Sequence, residues 1–84
     1  RVFVRYKVKL SPRTADIWDA IERAGDMGIE VQELGNMFYS QKSERKARAL
    51  MSRQVVRINE WMDTAKAGVR VCNQRGLPYR VIRR

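Results

Sequence analysis

Between Ala47 and Ala65 apolar side chains return every three or four residues, and beyond Gly68 they return every two. Those spacings match the side-chain periods of a helix and then of strands, so the second half of the chain must pack an amphipathic helix beside a β-hairpin. The helical stripe is Ala47, Leu50, Met51, Gln54, Val55, Ile58, Trp61, Met62 and Ala65. Winding the same stretch at about 100° per residue puts Arg45, Ser52, Arg53, Val56 and Asn59 on the water-facing side, with Arg48 and Arg57 on its flanks. Gly68 is a natural helix stop, after which Val69, Val71, Tyr79 and Val81 alternate with Arg70, Cys72, Arg80 and Ile82. Asn73, Gly76 and Pro78 supply the turn between the two strands and leave Arg75 near its tip.

The outward side of this helix is chemically unusual for a surface kept only for solubility. Arginine can take guanine N7 and O6, asparagine pairs with adenine, and a small apolar group such as Val56 meets the thymine methyl. The competing reading is a solvated basic face with one stray valine, on which Arg53 merely pairs with Glu60 or Glu33. The hairpin weighs against that reading. From Arg70 to Arg84 there are five arginines and no acid, and a purely structural hairpin has no need of such a bias. Phosphate or minor-groove contacts from Arg75 and Arg80 are therefore expected.

The run Ser52-Arg53, Val55 or Val56, Ile58, then Gly68-Val69-x-Val71, then Gly76-x-x-Tyr79-Arg80-Val81 resembles the recognition helix and wing of winged helix-turn-helix domains. The resemblance is particularly to the biotin operon repressor type and related bacterial and phage regulators. It covers the last third of the chain well, and residues 14–39 match more loosely as the first two helices. One departure is plain: YSQKSERKARAL separates Phe38 from Met51, where the family has a short turn. Either the recognition helix starts early, near Ser43, or an extra turn intervenes. The resemblance implies that Arg53, at the start of the deepest-entering part of the helix, is the first base-reading residue.

The remainder of the chain supplies the rest of an α+β winged helix-turn-helix unit. At 84 residues it fits one domain over 1–84, divided into an N-terminal strand (1–10), a helical part (12–67) and a wing (69–82). A first helix is expected after Ser11 or Thr14, with Pro12 tolerated in its opening turn, and it should end by Gly25. A second carries Val31, Leu34 and Phe38, and its Gly35 permits either a tight helix approach or nothing more than tolerance. Val2, Val4, Tyr6, Val8 and Leu10 alternate with Arg1, Phe3, Arg5, Lys7 and Lys9, the period of one half-buried strand. That strand is expected to pair with the wing; pairing with its own copy in a homodimer is the other use of an open edge. The expected core is Ile17, Ile21, Val31, Leu34, Phe38, Leu50, Val55, Ile58, Trp61, Val71 and Val81, with Trp18 at its rim.

Charge is polarised along the chain, whose net value is +9. Residues 1–13 carry five cations and no acid, and residues 42–57 carry six cations against one acid. Residues 14–33 carry six acids against one cation. Such a dipole orients a domain on a polyanion. Arg45, Lys46, Arg48, Arg75, Arg80, Arg83 and Arg84 are the expected phosphate contacts. Other chemistry finds little support. There is no His, the lone Cys72 can build neither a zinc site nor an internal disulfide, and no phosphate loop or nucleophile elbow is present. No enzymatic activity, metal or cofactor is expected, nor a membrane partner, and unpaired cysteine without a signal sequence points to the cytoplasm. The opening Arg1 allows the chain to be a fragment or a processed form. The expected function is sequence-specific binding of double-stranded DNA, by a transcription regulator or the DNA-recognition part of a phage or bacterial replication, recombination or packaging protein. The alternative is a winged helix serving as a protein-interaction or RNA-binding module. The only rings expected outside the core, Phe3 and Tyr39, are not clustered for base stacking.

Overall fold

The helices begin where side chains can satisfy their first N–H groups. The computed structural model describes residues 2–83, and in it Ser11 adopts an extended conformation and its Oγ accepts the Thr14 N–H, opening α1 (Pro12–Arg23). Pro12 occupies the first helical position, where a missing N–H costs nothing. A 3-10 turn over Gly25–Met27 leads through Ile29 to α2 (Val31–Phe38). Ser43 then caps α3 (Glu44–Thr64) by accepting the Lys46 N–H at 3.3 Å, so the early of the two helix starts is the one adopted. The connection from α2 is only residues 39–43, and α3 runs unbroken for 21 residues, about 31 Å. A Cβ on Gly35 would stand 3.2 Å from the Cβ of Ala47, so the glycine has a steric reason: α2 and α3 meet closely there.

The expected single N-terminal strand is instead a hairpin. β1 (Phe3–Arg5) and β2 (Val8–Leu10) pair antiparallel, with Phe3 opposite Leu10 and Arg5 opposite Val8. Tyr6 and Lys7 form the turn at φ 52° and 72°, both left-handed as a type I′ turn requires. A two-residue turn shifts the alternation by one, so Phe3 joins Leu10 on the inner face while Val2 and Val4 point to solvent. Tyr6 holds this turn in place: its ring meets Trp18 edge-on at 5.7 Å, its hydroxyl bonds Glu22, and the Arg83 guanidinium covers it at 5.7 Å.

The second hairpin, β3 (Val69–Cys72) with β4 (Arg80–Arg83), sets Val71 opposite Val81 and Cys72 opposite Arg80. Its extra partner is not the N-terminal segment. Ile29 and Tyr79 exchange both backbone hydrogen bonds at 2.8 Å, tying the start of β4 to the link between α1 and α2. Gly28 makes that approach possible, since at φ +74° a Cβ would fall 2.8 Å from both Pro78 Cβ and the Tyr79 carbonyl.

One apolar cluster lies between these elements. Ile17, Trp18 and Ile21 of α1 meet Leu34 of α2, Met51, Val55, Ile58 and Met62 of α3, Val8 and Leu10 of β2, and Val69 and Val71 of β3. Trp18, expected at the rim, is fully buried. Trp61, expected in the core, is 40% exposed, because it stands a 100° step from Met62, which holds the centre of the stripe. Val31, Phe38 and Val81 pack half-buried against the cluster, whereas Leu50, also expected in the core, is half-buried without joining it.

Candidate nucleic-acid interface

Seven of the expected contact residues share the solvent face of α3. Arg45, Lys46, Arg48, Ser52, Arg53, Val56 and Arg57 are all exposed, Val56 by 45%. Among the described residues none of these cations has an ion pair, so the pairing of Arg53 with Glu60 or Glu33 is not formed. Their placement also runs against the helix. Arg45 and Lys46 stand in the first turn, at the positive end of the macrodipole beside Glu44, whereas the last turn holds no basic residue. Each such cation costs a few tenths of a kcal/mol rather than stabilising the helix, roughly 0.3–1 kcal/mol at the surface. Helix stability therefore does not account for them.

Asn59, expected among the base-reading residues, is buried. Its Nδ2 donates to the Val71 carbonyl at 2.9 Å and its Oδ1 accepts the Val71 N–H at 2.8 Å, so the amide completes the outer edge of β3. The correction has a simple geometric origin. Asn59 and Arg48 lie on the same flank of α3, three turns or about 16 Å apart, and the hairpin covers only the Asn59 end.

Toward the Arg48 end the hairpin diverges from the helix and opens a cleft of about 660 Å3. Arg48, Ser52 and Tyr79 line one side and the loop carrying Arg75 and Gly76 the other, with Glu30 also at its wall. The loop tip is a β-turn closed by Leu77 N–H to the Gln74 carbonyl at 3.1 Å, and Gly76 at φ +85° takes the third position, as a type II turn prefers. Arg75 is thus presented to solvent next to the α3 face. Tyr79 was expected only as a strand residue. Its burial pushes the phenol pKa up, outweighing the opposing influence of the nearby Ser52 hydroxyl and Arg48 charge, so the hydroxyl stays protonated at neutral pH. No local signal in the sequence announces this, because the Ile29 bridge is what brings Tyr79 to Ser52.

Other expected contacts fall elsewhere. Arg80 is exposed but starts beside Gly28, opposite Cys72, and does not line the cleft. Arg83, exposed on β4, is engaged with Tyr6 at 3.2 Å and Glu22 at 3.6 Å and does not line the cleft. Tyr39 is half-buried under Arg13 and accepts from Gln54, and Phe3 is half-buried too. Arg1 of the expected strand and Arg84 of the expected phosphate contacts lie outside the described residues. The basic N-terminus is also partly spent on the acidic helix. Arg5 donates to both carboxylate oxygens of Asp19 at 2.8 Å, and this holds the Asp19 carboxyl below its usual range.

Over the described residues the molecule is thus an α+β protein of three α-helices and two small antiparallel hairpins, with a basic helix face free of ion pairs beside a basic loop. Among the described residues no helix is long and apolar enough to cross a membrane. Compared with protein-family models, curated proteins and solved structures, the chain has no match.

Proposed function

We propose that the protein is a winged helix-turn-helix DNA-binding protein that lays the N-terminal half of α3 in the major groove of duplex DNA. In this reading α2, the 39–43 connection and α3 form the helix-turn-helix, β3 and β4 form the wing, and Ile29 stands where the wing's third strand belongs. Arg53, Val56 and Arg57 meet base edges, while Arg45, Lys46, Arg48 and Arg75 take phosphates. The observation that carries the reading is the charge of α3: among the described residues its exposed cations form no ion pair, they gather in the N-terminal half toward the unfavourable end of the dipole, and one of them, Arg48, lines a cleft with Arg75.

Selection from a randomised duplex pool tests this. Wild-type protein is expected to enrich a defined sequence, and Arg53→Ala to relax one or two positions of it, at a cost of about 1–3 kcal/mol on the preferred site. The same sequences enriched by both proteins would remove Arg53 from base reading. One observation favours a protein-interaction role instead: exposed Trp61 borders an apolar groove flanked by Lys7 and Lys9 of the N-terminal hairpin. Under that alternative no duplex sequence is enriched.

A further inference from the structure

We infer that the cleft between α3 and the β3–β4 loop seats one phosphate group, held by the hydroxyls of Ser52 and Tyr79 that both line it and flanked by the guanidinium groups of Arg48 and Arg75. The inference rests on the DNA-binding reading for the source of that phosphate, a backbone phosphodiester. It adds Tyr79, a residue the charge pattern does not reveal, and gives the cleft a defined occupant.

Several properties of the cleft suit it to this ligand. At about 660 Å3 it lies within the range of roughly 300–1,000 Å3 typical of small-ligand sites, so it admits a sugar-phosphate segment and not only a bare ion. Two arginines without ion pairs line it. Both hydroxyls line the cleft and Tyr79 remains a phenol, so each carries an O–H that can be donated to an anion. Tyr79 is 7% exposed and its backbone is fixed on both sides by Ile29, so that donor is set in place before any ligand arrives. Loop geometry places Gly76 beside it, where the absence of a side chain lets a phosphate approach the backbone.

The seat also has a consequence for reading. Ser52 precedes Arg53 directly and follows Arg48 by one helical turn, so a phosphate fixed at Ser52 sets how far Arg53 reaches into the groove. The wing and the helix then grip one strand together. Glu30, the acid lining the cleft, opposes the anion, and removing its charge should tighten binding.

The test compares wild type, Tyr79→Phe, Ser52→Ala and Glu30→Gln by fluorescence anisotropy against one short duplex. Single backbone phosphates of that duplex are replaced in turn by neutral methylphosphonate. Near-UV circular dichroism confirms that each variant is folded, and Ser52→Ala, at an exposed position, keeps the test open should Tyr79→Phe not fold. Tyr79→Phe and Ser52→Ala are expected to weaken binding about tenfold, as loss of a hydrogen bond to a charged group does, and Glu30→Gln to strengthen it. One methylphosphonate position should weaken wild type by a similar factor and leave Tyr79→Phe unaffected, the non-additivity expected of a shared contact. Wild-type affinity in both hydroxyl variants, or losses that add in full at every backbone position, would overturn the phosphate seat while leaving DNA binding intact. If wild type binds no duplex, the DNA reading fails, and inorganic pyrophosphate decides the seat. Shifts of the Gly76 and Tyr79 amide resonances would assign it to a free phosphorylated ligand; unmoved resonances would overturn it.

Discussion

The side-chain amide of Asn59 pairs with both backbone groups of Val71, at 2.9 and 2.8 Å, inside the contact between α3 and β3. A side chain here does the work of a neighbouring strand. It locks the hairpin to the C-terminal half of the helix and so fixes where the loop carrying Arg75 can stand.

Removing that amide should therefore damage the fold and leave recognition unchanged in character. Asn59→Ala orphans a buried N–H and a buried carbonyl at about 1–3 kcal/mol each, so a total loss of roughly 2–6 kcal/mol is expected in urea denaturation. A stable Asn59→Ala protein with altered base preference would return Asn59 to the DNA face.

Gly28 and Gly76 both have positive φ, but only the first is enclosed. Gly28→Ala forces a Cβ onto Pro78 and the Tyr79 carbonyl and should cost ~2 kcal/mol or more, lowering the melting temperature by roughly 10 °C. Gly76→Ala meets nothing within 4 Å and should cost only ~1–2 kcal/mol of conformational preference. Equal melting temperatures for the two variants would mean that the Ile29–Tyr79 bridge is not formed as described.

The Tyr6-Lys7 turn predicts a gain. Lys7 is exposed and left-handed at φ 72°, a conformation glycine adopts without penalty, so Lys7→Gly should raise stability by up to ~1 kcal/mol. A drop in stability would argue that residues 1–10 form the single strand their alternation suggests.

Acid stability should depend on the Arg5–Asp19 pair. The folded Asp19 pKa lies below its ordinary value of 3.8, so the pair's contribution is complete above about pH 4 and is lost as pH falls through the lowered folded value. Asp19→Asn should remove that part of the acid-side decline when urea midpoints are followed from about pH 5 to pH 2. An unchanged pH profile would show that the pair contributes nothing.

The helices and the C-terminal hairpin were legible because their signals are local. Ser11, Pro12 and Ser43 sit where caps and first turns need them, and the spacing from Ala47 to Met62 is one a strand cannot bury. What failed was set at a distance. The turn at Tyr6 and Lys7 lacks the Asn-Gly signature of a type I′ turn and is held by Trp18, Glu22 and Arg83. Asn59 looks exposed on a helical wheel until β3 covers that flank, and Tyr79 becomes part of a cleft only through Ile29. Trp18 and Trp61 exchanged places relative to expectation because β2 packs on α1 and leaves the α3 indole at a groove edge. The cations of α3 lie exposed as their positions on the helical wheel imply; Arg83 is exposed too, but its contacts with Tyr6 and Glu22 could not be foreseen, because those partners come from the first hairpin and α1.

Duplex affinity measured against salt concentration addresses the central claim most directly. With Arg45, Lys46, Arg48 and Arg75 on phosphates, log affinity should fall with log salt at a slope of about −3.6, which is roughly a 150-fold loss between 50 and 200 mM. Affinity that is flat across that range, or no measurable duplex binding at low salt, would contradict the account.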